Sequence, residues 1–435
     1  IQQKKQQINM AISMSSIETE NKPGFPAQFT YNSEEWTTVK FCGEGTFSKC
    51  FQIRNKSGQN LALKVYKAGA KYEFAFQNEV RILALVKINS KSSLACCIVN
   101  CIDMFTISGE RCILMGFLGC TLKELIVKHE MKGFSLHLVK KLLHNLFSGA
   151  MFLEEIGVVH GDIKPSNILW NMNSECFQLI DFSISFMSGM KPDQPLQSPG
   201  YQAPEVLQWN KNIKVNSLPD SDEHFSCLDT SIDIWSIGCV LLYGVTGRQL
   251  YSTERAQQLL LVCTNCESRG GPCLHSMKAT HHIRFYRNEL DLFDKENLTY
   301  IISGVLQCHP RDRFRPSCVL SHPLFVAGAK LQASIMDILV LPTRVLRLLN
   351  MFDEENLENI EDIKLDIQDE CEKFGKVVSL KIGQKINAGY NVYIQYKYAE
   401  NCCCAQSSLS GRYFNNRCVV ATFFPWQLFR DDNFY

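Results

Sequence analysis

The sequence predicts an α+β protein with two lobes, followed by a smaller βαββαβ domain. From Trp36 to about Ala68, the segments WTTVKFC, KCFQIRN and LALKVYKA are rich in β-forming residues, with glycine-containing turns between them. This pattern is typical of an antiparallel sheet. Helical periodicity follows from Glu73 to Leu85 and again from His137 to Leu153. A small sheet followed by a helix-rich region indicates a bilobal arrangement.

The element order near the carboxyl end predicts the second domain. TRVLRLLNMF is typical of a strand, residues 358–374 of an acidic helix, and VVSLKI and NVYIQY of two more strands. A helix over residues 399–409 and a strand at RCVVATFF complete the split βαβ plan. We therefore expect four segments: a disordered leader at 1–35, the bilobal domain at 36–326, a linker at 327–340 and the βαββαβ domain at 341–435.

Composition narrows the classes of partner. The 435 residues include 45 basic and 44 acidic side chains, so the overall charge favours neither DNA nor an anionic membrane. No segment is long and uncharged enough to span a bilayer, and the amino-terminal residues lack the apolar core of a signal peptide. The 20 cysteines are scattered or clumped, as in Cys402-Cys403-Cys404, which favours reduced thiols over a disulfide scaffold.

The β-rich lobe contains a glycine-rich turn that is suited to phosphate groups. CGEGTFSKCF fits G-x-G-x-x-G with Gly43 and Gly45, but Ser48 stands at the third glycine position. Glycine is needed in such a turn because backbone amides must approach phosphate oxygens closely. On its own the motif is weak, since most such turns are only turns.

A lysine and a carboxylate follow the turn at a spacing that strengthens this interpretation. Lys64 ends the predicted strand LALK, and Glu79 lies on the next predicted helix in FQNEVRIL. A lysine in that place can neutralise the α and β phosphates of a nucleotide, and the helix carboxylate can hold it in position.

The stretch VVHGDIKPSNIL is the most specific motif in the chain. His160, Asp162, Lys164 and Asn167 follow H-x-D-x-K-x-x-N, and Asp181 comes next in LIDFS. One carboxylate can orient a substrate hydroxyl and accept its proton, while Asn167 and Asp181 can ligate a magnesium ion that bridges the nucleotide phosphates. Further motifs follow in order: Glu205 in SPGYQAPE, Asp233 in SIDIWSIG and Arg313 in HPRDRFRPS. We expect Arg313 to pair with Glu205.

In motif identity, order and spacing, residues 36–326 resemble a eukaryotic protein kinase. The resemblance implies ATP and Mg²⁺ as cofactors, with Asp162 as catalytic base and Met115, in CILMGF, beside the adenine pocket. Lys164, two residues after the aspartate, favours the serine/threonine branch. The alternative is a catalytically silent scaffold, but Lys64, Glu79, Asp162, Asn167 and Asp181 are all present.

Four positions depart from the kinase pattern. Gly161 replaces the arginine that usually docks a phosphorylated activation loop, so we expect activity without that phosphorylation. Ser183 replaces the glycine of the DFG motif. With Ser166 at its position, we do not expect the kinase to select strongly for arginine upstream of the target residue. With Gln202 at its position, a preference for Ser-Pro targets stays open.

One segment could be a metal site. CTNCESRGGPCLHSMKATHH combines Cys263, Cys266 and Cys273 with three histidines, and such side chains can ligate zinc. The spacing does not match common zinc motifs, so a surface insert is the favoured interpretation.

The βαββαβ domain resembles an RNA recognition motif that has lost its RNA surface. Leu346 occupies the first stacking position, and Gly389 and Asn391 stand where basic and aromatic residues are expected, although Tyr393 remains. From Asp353 to Lys373 there are ten carboxylates and two lysines, a field that repels phosphates. The plain alternative for this run is a solvated helix face.

The domain also has an acidic first helix and an Arg-x-Phe motif before its last strand. In these features it is similar to a U2AF homology motif (UHM). Its fusion to a kinase resembles the UHM kinase family. UHM domains bind short basic peptides through a tryptophan. The resemblance implies that Phe414 stacks on the indole and that Arg412, paired with Glu370, covers its other side. Ligands for the basic residues of the peptide would be Asp362, Asp366 and Asp369.

These resemblances imply a nuclear, and also cytoplasmic, kinase that docks on splicing factors or other regulatory proteins. Two alternatives stay open. The first is a silent adaptor that binds RNA or splicing factors, for which Tyr393 and Lys381 are the best support, and weak RNA binding fits it. The second is a kinase whose last domain only stabilises the fold.

Overall fold

A computed structural model describes residues 25–214, 228–251, 274–287, 289–326, 335–352, 360–383, 390–414 and 417–434. These residues form a β-rich lobe, a helix-rich lobe and a four-stranded domain at the carboxyl end. Within these ranges, no helix has both the length and the apolar character needed to cross a bilayer.

The β-rich lobe is an antiparallel sheet with the strand order β1-β2-β3-β4-β6-β5. Helix α1 (Ala70–Ile88) packs under it through Ala75, Ile82, Leu83 and Val86, a spacing that places them on one helical face. The strands are β1 (Gln28–Tyr31), β2 (Glu34–Glu44), β3 (Ser48–Asn55), β4 (Asn60–Tyr66), β5 (Cys101–Ile107) and β6 (Glu110–Gly116).

The helix-rich lobe is built around two long buried helices, α3 (Leu136–Glu155) and α5 (Ser231–Thr246). Every residue of α5 except Ser231 is buried, which is why its sequence is apolar on all sides. The other helices are α2 (Leu122–Lys128), α4 (Pro204–Lys214), α6 (Leu274–Tyr286), α7 (Leu292–Val305), α8 (Pro316–Leu320) and α9 (Pro323–Val326). The short strands are β7 (Val158–Val159), β8 (Ile168–Asn171), β9 (Cys176–Leu179) and β10 (Phe186–Met187).

The last domain has the predicted βαββαβ order. Its sheet runs β12-β13-β11-β16, with both main helices on one face. The elements are β11 (Val345–Phe352), helix α11 (Ile360–Glu372), β12 (Val377–Ile382), β13 (Tyr390–Tyr396), helix α12 (Ala399–Leu409), β14 (Tyr413–Phe414), β15 (Arg417–Cys418) and β16 (Val420–Phe424). A short terminal helix, α13 (Trp426–Arg430), follows.

The structure differs from the sequence-based expectation at both predicted boundaries. Residues 28–31, assigned above to a disordered leader, form strand β1 because they pair with Glu34–Thr37. Residues 335–340, assigned to a linker, form helix α10 (Ile335–Val340). In α10, Asp337 is buried and accepts a hydrogen bond from Ser135 Oγ at 2.6 Å.

The last domain packs on the helix-rich lobe. The indole of Trp170, on β8, donates to the carbonyl of Pro342 at 2.7 Å, and the backbone N–H of Trp426 donates to Glu175 Oε1 at 2.7 Å. Leu341 and Ala399 join the hydrophobic core of the helix-rich lobe. The two parts therefore share a buried interface.

Candidate active site and peptide groove

Lys64 and Asp181 meet in the cleft between the lobes. Lys64 Nζ lies 2.6 Å from Glu79 Oε2 and 2.8 Å from Asp181 Oδ1. Glu79 comes from α1, is fully buried, and also accepts from the Tyr66 hydroxyl. Burial would lower the pKa of Lys64, but the charges of Asp181 and Glu79 raise it well above its ordinary value. The lysine is therefore charged and fixed in position.

The glycine-rich turn connects β2 and β3 beside this cleft. Gly45 N donates to Ser48 O at 2.8 Å, and Lys67 Nζ donates to Gly45 O at 2.9 Å. A side chain at Gly43 would meet no atom within 4 Å, so the space next to the turn is open. Met115 is the next-to-last residue of β6 and pairs with Ala62 on β4, two residues before Lys64.

Asp162 is held in the loop after β7 by three groups. Lys164 Nζ donates to its Oδ2 at 2.7 Å, and Asn167 Nδ2 donates to its backbone carbonyl at 2.9 Å. Its Oδ1 accepts from Ser198 Oγ at 2.7 Å, and Lys164 Nζ also donates to Ser198 Oγ at 2.8 Å. A carboxylate fixed in this way can orient a substrate hydroxyl and take its proton.

Ser198 was missed by the sequence reasoning. It lies five residues before Ala203-Pro204-Glu205, in SPGYQAPE. The sequence offers one indication of this role, a serine five residues before that motif. Only the folded chain shows that it contacts both Asp162 and Lys164.

Asn167 and Asp181 fit a divalent metal ion. Lys64 and Ser183 both donate to Asp181 Oδ1, which among the described residues leaves Oδ2 for a metal. Burial would raise the pKa of Asp181, but the charge of Lys64 and the hydrogen bonds from Lys64 and Ser183 hold it far below its ordinary value. The amide nitrogen of Asn167 donates to Asp162, so its oxygen is the atom that could ligate a metal. A metal bound there would neutralise charge on the nucleotide phosphates.

The segment after Asp181 is held in place without an arginine at position 161. Gly161 has φ +78, a conformation that suits glycine, and its carbonyl accepts from Gln197 N at 2.8 Å. Gln197 Nε2 donates to Ile232 O at 2.8 Å and to Ser236 Oγ at 2.9 Å, while its Oε1 accepts from Ala203 N at 2.8 Å. Neutral hydrogen bonds therefore position this segment.

We expect phosphatase treatment to leave the activity of the protein unchanged. Gln197 and its partners are uncharged, so the position of the segment does not depend on a phosphate. Gln197→Ala, in contrast, would lower stability by about 1–3 kcal/mol because buried partners lose their hydrogen bonds. Phosphate transfer before and after treatment, with intact mass as a check, measures the first effect. A large loss of activity on treatment would contradict this expectation.

Two further motif residues support the catalytic loop and the lobe. Asp233, at the start of α5, accepts from His160 N at 2.7 Å and Gly161 N at 3.0 Å, and burial raises its pKa to about 7 despite these donors. Arg313 binds Glu205 through two contacts at 2.5 and 2.8 Å, as the sequence predicted. Both pairs are structural.

The predicted peptide-binding residues come together on the last domain. Arg412 Nη1 lies 3.1 Å from Glu370 Oε1, across the gap between α11 and β14. A hydrogen bond from Lys373, together with the charge of Arg412, lowers the pKa of Glu370. Phe414 is half-buried against the domain core, whereas Tyr413 is 77% exposed. Asp362, Asp366 and Asp369 are exposed on α11 at intervals of four and three residues, so they share one face.

The opposite face of this domain is covered. Tyr393 is 0% exposed and its ring centroid lies 4.7 Å from that of Phe424 and 4.4 Å from that of Phe434. Lys381 Nζ lies 2.7 Å from Asp432 Oδ1 and 4.5 Å from the centre of the Phe429 ring. The carboxyl-terminal segment thus occupies the surface on which RNA recognition motifs stack bases.

The assignment of Leu346 to a stacking position is wrong. Leu346 is fully buried in the core between the sheet and the two main helices. Its neighbours Val345 and Arg347 take the covered face, because successive residues of a strand alternate between faces. Gly389 lies outside the described residues.

The zinc prediction falls mainly on residues that the structure does not describe. Cys263, Cys266 and Cys273 lie outside the described ranges, and only the three histidines of this segment lie inside them. Within those ranges, no group of three or more histidine, cysteine or carboxylate side chains is arranged to hold a metal ion.

Comparison with known proteins agrees with the geometry of the cleft. The protein kinase domain family matches residues 36–325. The serine/threonine-protein kinase Kist of Rattus norvegicus is 31% identical over 419 residues, covering 92% of this chain and 94% of that protein. Kist of Homo sapiens is 29% identical, with the same coverage of both proteins. A putative dual specificity tyrosine-phosphorylation-regulated kinase 3 homolog of Drosophila melanogaster is 30% identical over 224 residues, which are 51% of this chain and 25% of that protein.

The Kist matches extend beyond the kinase domain into the last domain, as their coverage requires. The family uses ATP with a divalent metal, which agrees with the positions of Lys64, Asn167 and Asp181. This chain therefore belongs to the protein kinase family, and within it to the UHM kinases, as a serine/threonine protein kinase with a carboxyl-terminal domain similar to an RNA recognition motif.

Proposed function

We propose that this kinase uses Mg²⁺ and phosphorylates splicing factors or other regulatory proteins, which it holds through a groove for a basic peptide that contains tryptophan. The observation that carries the proposal is the ion pair of Arg412 with Glu370, together with the half-buried Phe414 two residues after Arg412. We also place this work in the nucleus, with a cytoplasmic pool, because such partners act there.

One side of the proposed groove is the aromatic ring of Phe414, and the other is the cationic side chain of Arg412. An indole placed between Phe414 and the Arg412 guanidinium would have a ring stacked on one side and a cation on the other. Glu370 holds that guanidinium in place. A buried aromatic anchor of this kind supplies most of the binding energy of a small interface.

The charge of α11 favours a basic ligand. Six carboxylates and one lysine lie within Ile360–Glu372, and Asp362, Asp366 and Asp369 are exposed on one face. Such a surface attracts lysine and arginine and increases the rate of encounter with a basic peptide. The same field opposes the phosphates of RNA.

Binding through this groove would also direct phosphorylation. A substrate held by the last domain is presented to Asp162 at a high effective concentration. Ser166 and Gln202 disfavour strong selection of the target sequence in the cleft itself, so docking can supply the missing selectivity.

The adaptor that binds RNA is the competing function. Its main supports, Tyr393 and Lys381, contact Phe434 and Asp432 of the carboxyl-terminal segment. RNA would have to displace that segment before a base could stack on Tyr393. This cost favours the peptide over RNA.

We expect Phe414→Ala to weaken binding of a basic tryptophan peptide to the full-length protein at least about tenfold, because an anchor ring is worth 2 kcal/mol or more. Tyr413→Ala is the matched control, because Tyr413 is exposed and, as the residue before Phe414 on the same strand, projects from the opposite face. Fluorescence anisotropy with a labelled peptide measures both. Equal affinities for the two variants, or tight binding of single-stranded RNA that survives Phe414→Ala, would overturn the proposal.

We expect the nuclear location of the protein to depend on binding through the same groove. If it depends on partners, a fluorescent fusion of the full chain should be more cytoplasmic with Phe414→Ala than with Tyr413→Ala. An identical distribution of the two variants would contradict the link between docking and location.

A further inference from the structure

The glycine-rich loop contains two cysteines that face one another. Strands β2 and β3 pair Phe41 with Phe51 and Gly43 with Cys50, so Cys42 is an extra residue in a β-bulge. In such a bulge two residues oppose one, and Cys42 and Gly43 together oppose Cys50. The two cysteines therefore lie beside each other on neighbouring strands.

The Cys50 thiol lies on the nucleotide side of the sheet. Cys50 pairs with Lys64 on β4, and residues directly opposite in an antiparallel pair project from the same face. Lys64 projects into the cleft, where it meets Asp181.

Their surroundings make the two thiols unequal. Cys42 is exposed, and the hydrogen bond from the Cys50 thiol, with the charge of Lys40, lowers its pKa. Cys50 is half-buried, and its hydrogen bond to Cys42 and its burial raise its pKa. An exposed thiolate next to a second thiol is the usual arrangement of a redox-sensitive pair.

We propose that Cys42 and Cys50 are a peroxide-sensitive thiol pair that blocks the nucleotide site by forming a disulfide. Paired residues of antiparallel strands have Cα atoms about 4.5–5.5 Å apart, and a disulfide needs about 4.4–6.8 Å. Cys42 is next to Gly43, the residue paired with Cys50, in a bulge where both residues oppose Cys50, so a small adjustment of the bulge would bring the two cysteines into this range.

The chemistry is balanced with hydrogen peroxide as the oxidant. The Cys42 thiolate attacks one peroxide oxygen, the O–O bond breaks, and hydroxide leaves, which gives a sulfenic acid on Cys42. The Cys50 sulfur then attacks the Cys42 sulfur, the S–O bond breaks, and the oxygen leaves as water with the Cys50 proton. The two thiols lose two electrons to the peroxide, which becomes two waters once the hydroxide is protonated. A dithiol reductant reverses the step.

The disulfide would act on phosphate binding. The turn that it closes contains Gly43 and Gly45, whose backbone must adjust to the phosphates, and Cys50 lies beside Lys64. We expect the KM for ATP to rise about tenfold or more on oxidation, which corresponds to the loss of a hydrogen bond to a charged group. The KM should return to its starting value after reduction with dithiothreitol.

The test uses the full-length kinase treated with hydrogen peroxide and then freed of it. Trypsin cuts after Lys49, between the two cysteines, so the disulfide would join peptides 41–49 and 50–54. We expect this linked pair in mass spectra, in proportion to the increase in KM for ATP. Sensitivity is taken as the ratio of activity after and before peroxide in each variant, so differences in basal activity cancel.

Cys42→Ser and Cys50→Ser should each lose the linked peptides and the reversible increase in KM. Cys96→Ser is the matched control, because Cys96 Sγ lies 3.8 Å from Cys97 Sγ, another thiol contact far from the loop in sequence. This variant should keep the full response. Inactivation by peroxide without the linked peptides, or an equal response of Cys42→Ser and the wild type, would overturn the proposal.

Discussion

Asp162→Asn is expected to lower the rate of phosphate transfer by about 10²–10⁴-fold, the usual contribution of a positioned general base. Asp162 is held by Lys164, Asn167 and Ser198, so the carboxylate has a defined direction. An amide of the same shape keeps the loop folded but cannot accept the proton of the substrate hydroxyl. The rate is measured with radiolabelled ATP and a splicing-factor fragment, and ADP affinity is measured in parallel.

Asp193→Asn is a matched control for this variant. Asp193 is an exposed carboxylate in the segment between Asp181 and Glu205, and we expect wild-type rates from it. ADP affinity and thermal stability should be the same in both variants. Equal rates for Asp162→Asn and the wild type would remove Asp162 from its assigned role, and no transfer by the wild type would favour the silent adaptor.

Trp170→Ala is expected to lower the free energy of unfolding by about 3–5 kcal/mol, the usual cost of truncating a buried tryptophan. The Trp170 indole is fully buried, packs edge-on against Phe177 at 5.1 Å, and donates across the domain boundary to Pro342 O. Its loss therefore removes core packing and an interdomain hydrogen bond together. Urea denaturation followed by circular dichroism measures the change.

Trp170→Phe separates these two effects. It keeps an aromatic ring but leaves the Pro342 carbonyl without its donor, which should cost about 1–3 kcal/mol. We expect limited proteolysis between the domains to be faster in both variants. If Trp170→Ala changed neither stability nor proteolysis, the interface would not contribute to holding the last domain.

The catalytic set could be predicted from the sequence because phosphate transfer needs given side chains at short spacings. Asp162, Lys164 and Asn167 lie within one loop, and hydrogen bonds within that loop position them. The strands and helices of the last domain were also predictable, because strands and amphipathic helices have distinct periodicities. Helix α12 has the predicted bounds, Ala399–Leu409.

Features that depend on distant contacts were not predictable. Strand β1 exists because it pairs with β2, and α10 is ordered where Asp337 meets Ser135 from another part of the chain. Ser198 contacts Asp162 only after the chain has turned back over 36 residues. In each case the partner lies elsewhere in the chain, so the local sequence does not show the contact.

The sequence by itself determined the enzyme class. The motifs that bind the nucleotide and accept the proton are each short stretches of sequence, and their order along the chain is specific. It also indicated the acidic groove, because the charges of α11 lie on one helix. Only the tertiary structure showed that the other face of the last domain is covered. Tyr393 alone would suggest base stacking, but Phe424 and Phe434 cover it, and burial of these rings against one another excludes water from that face.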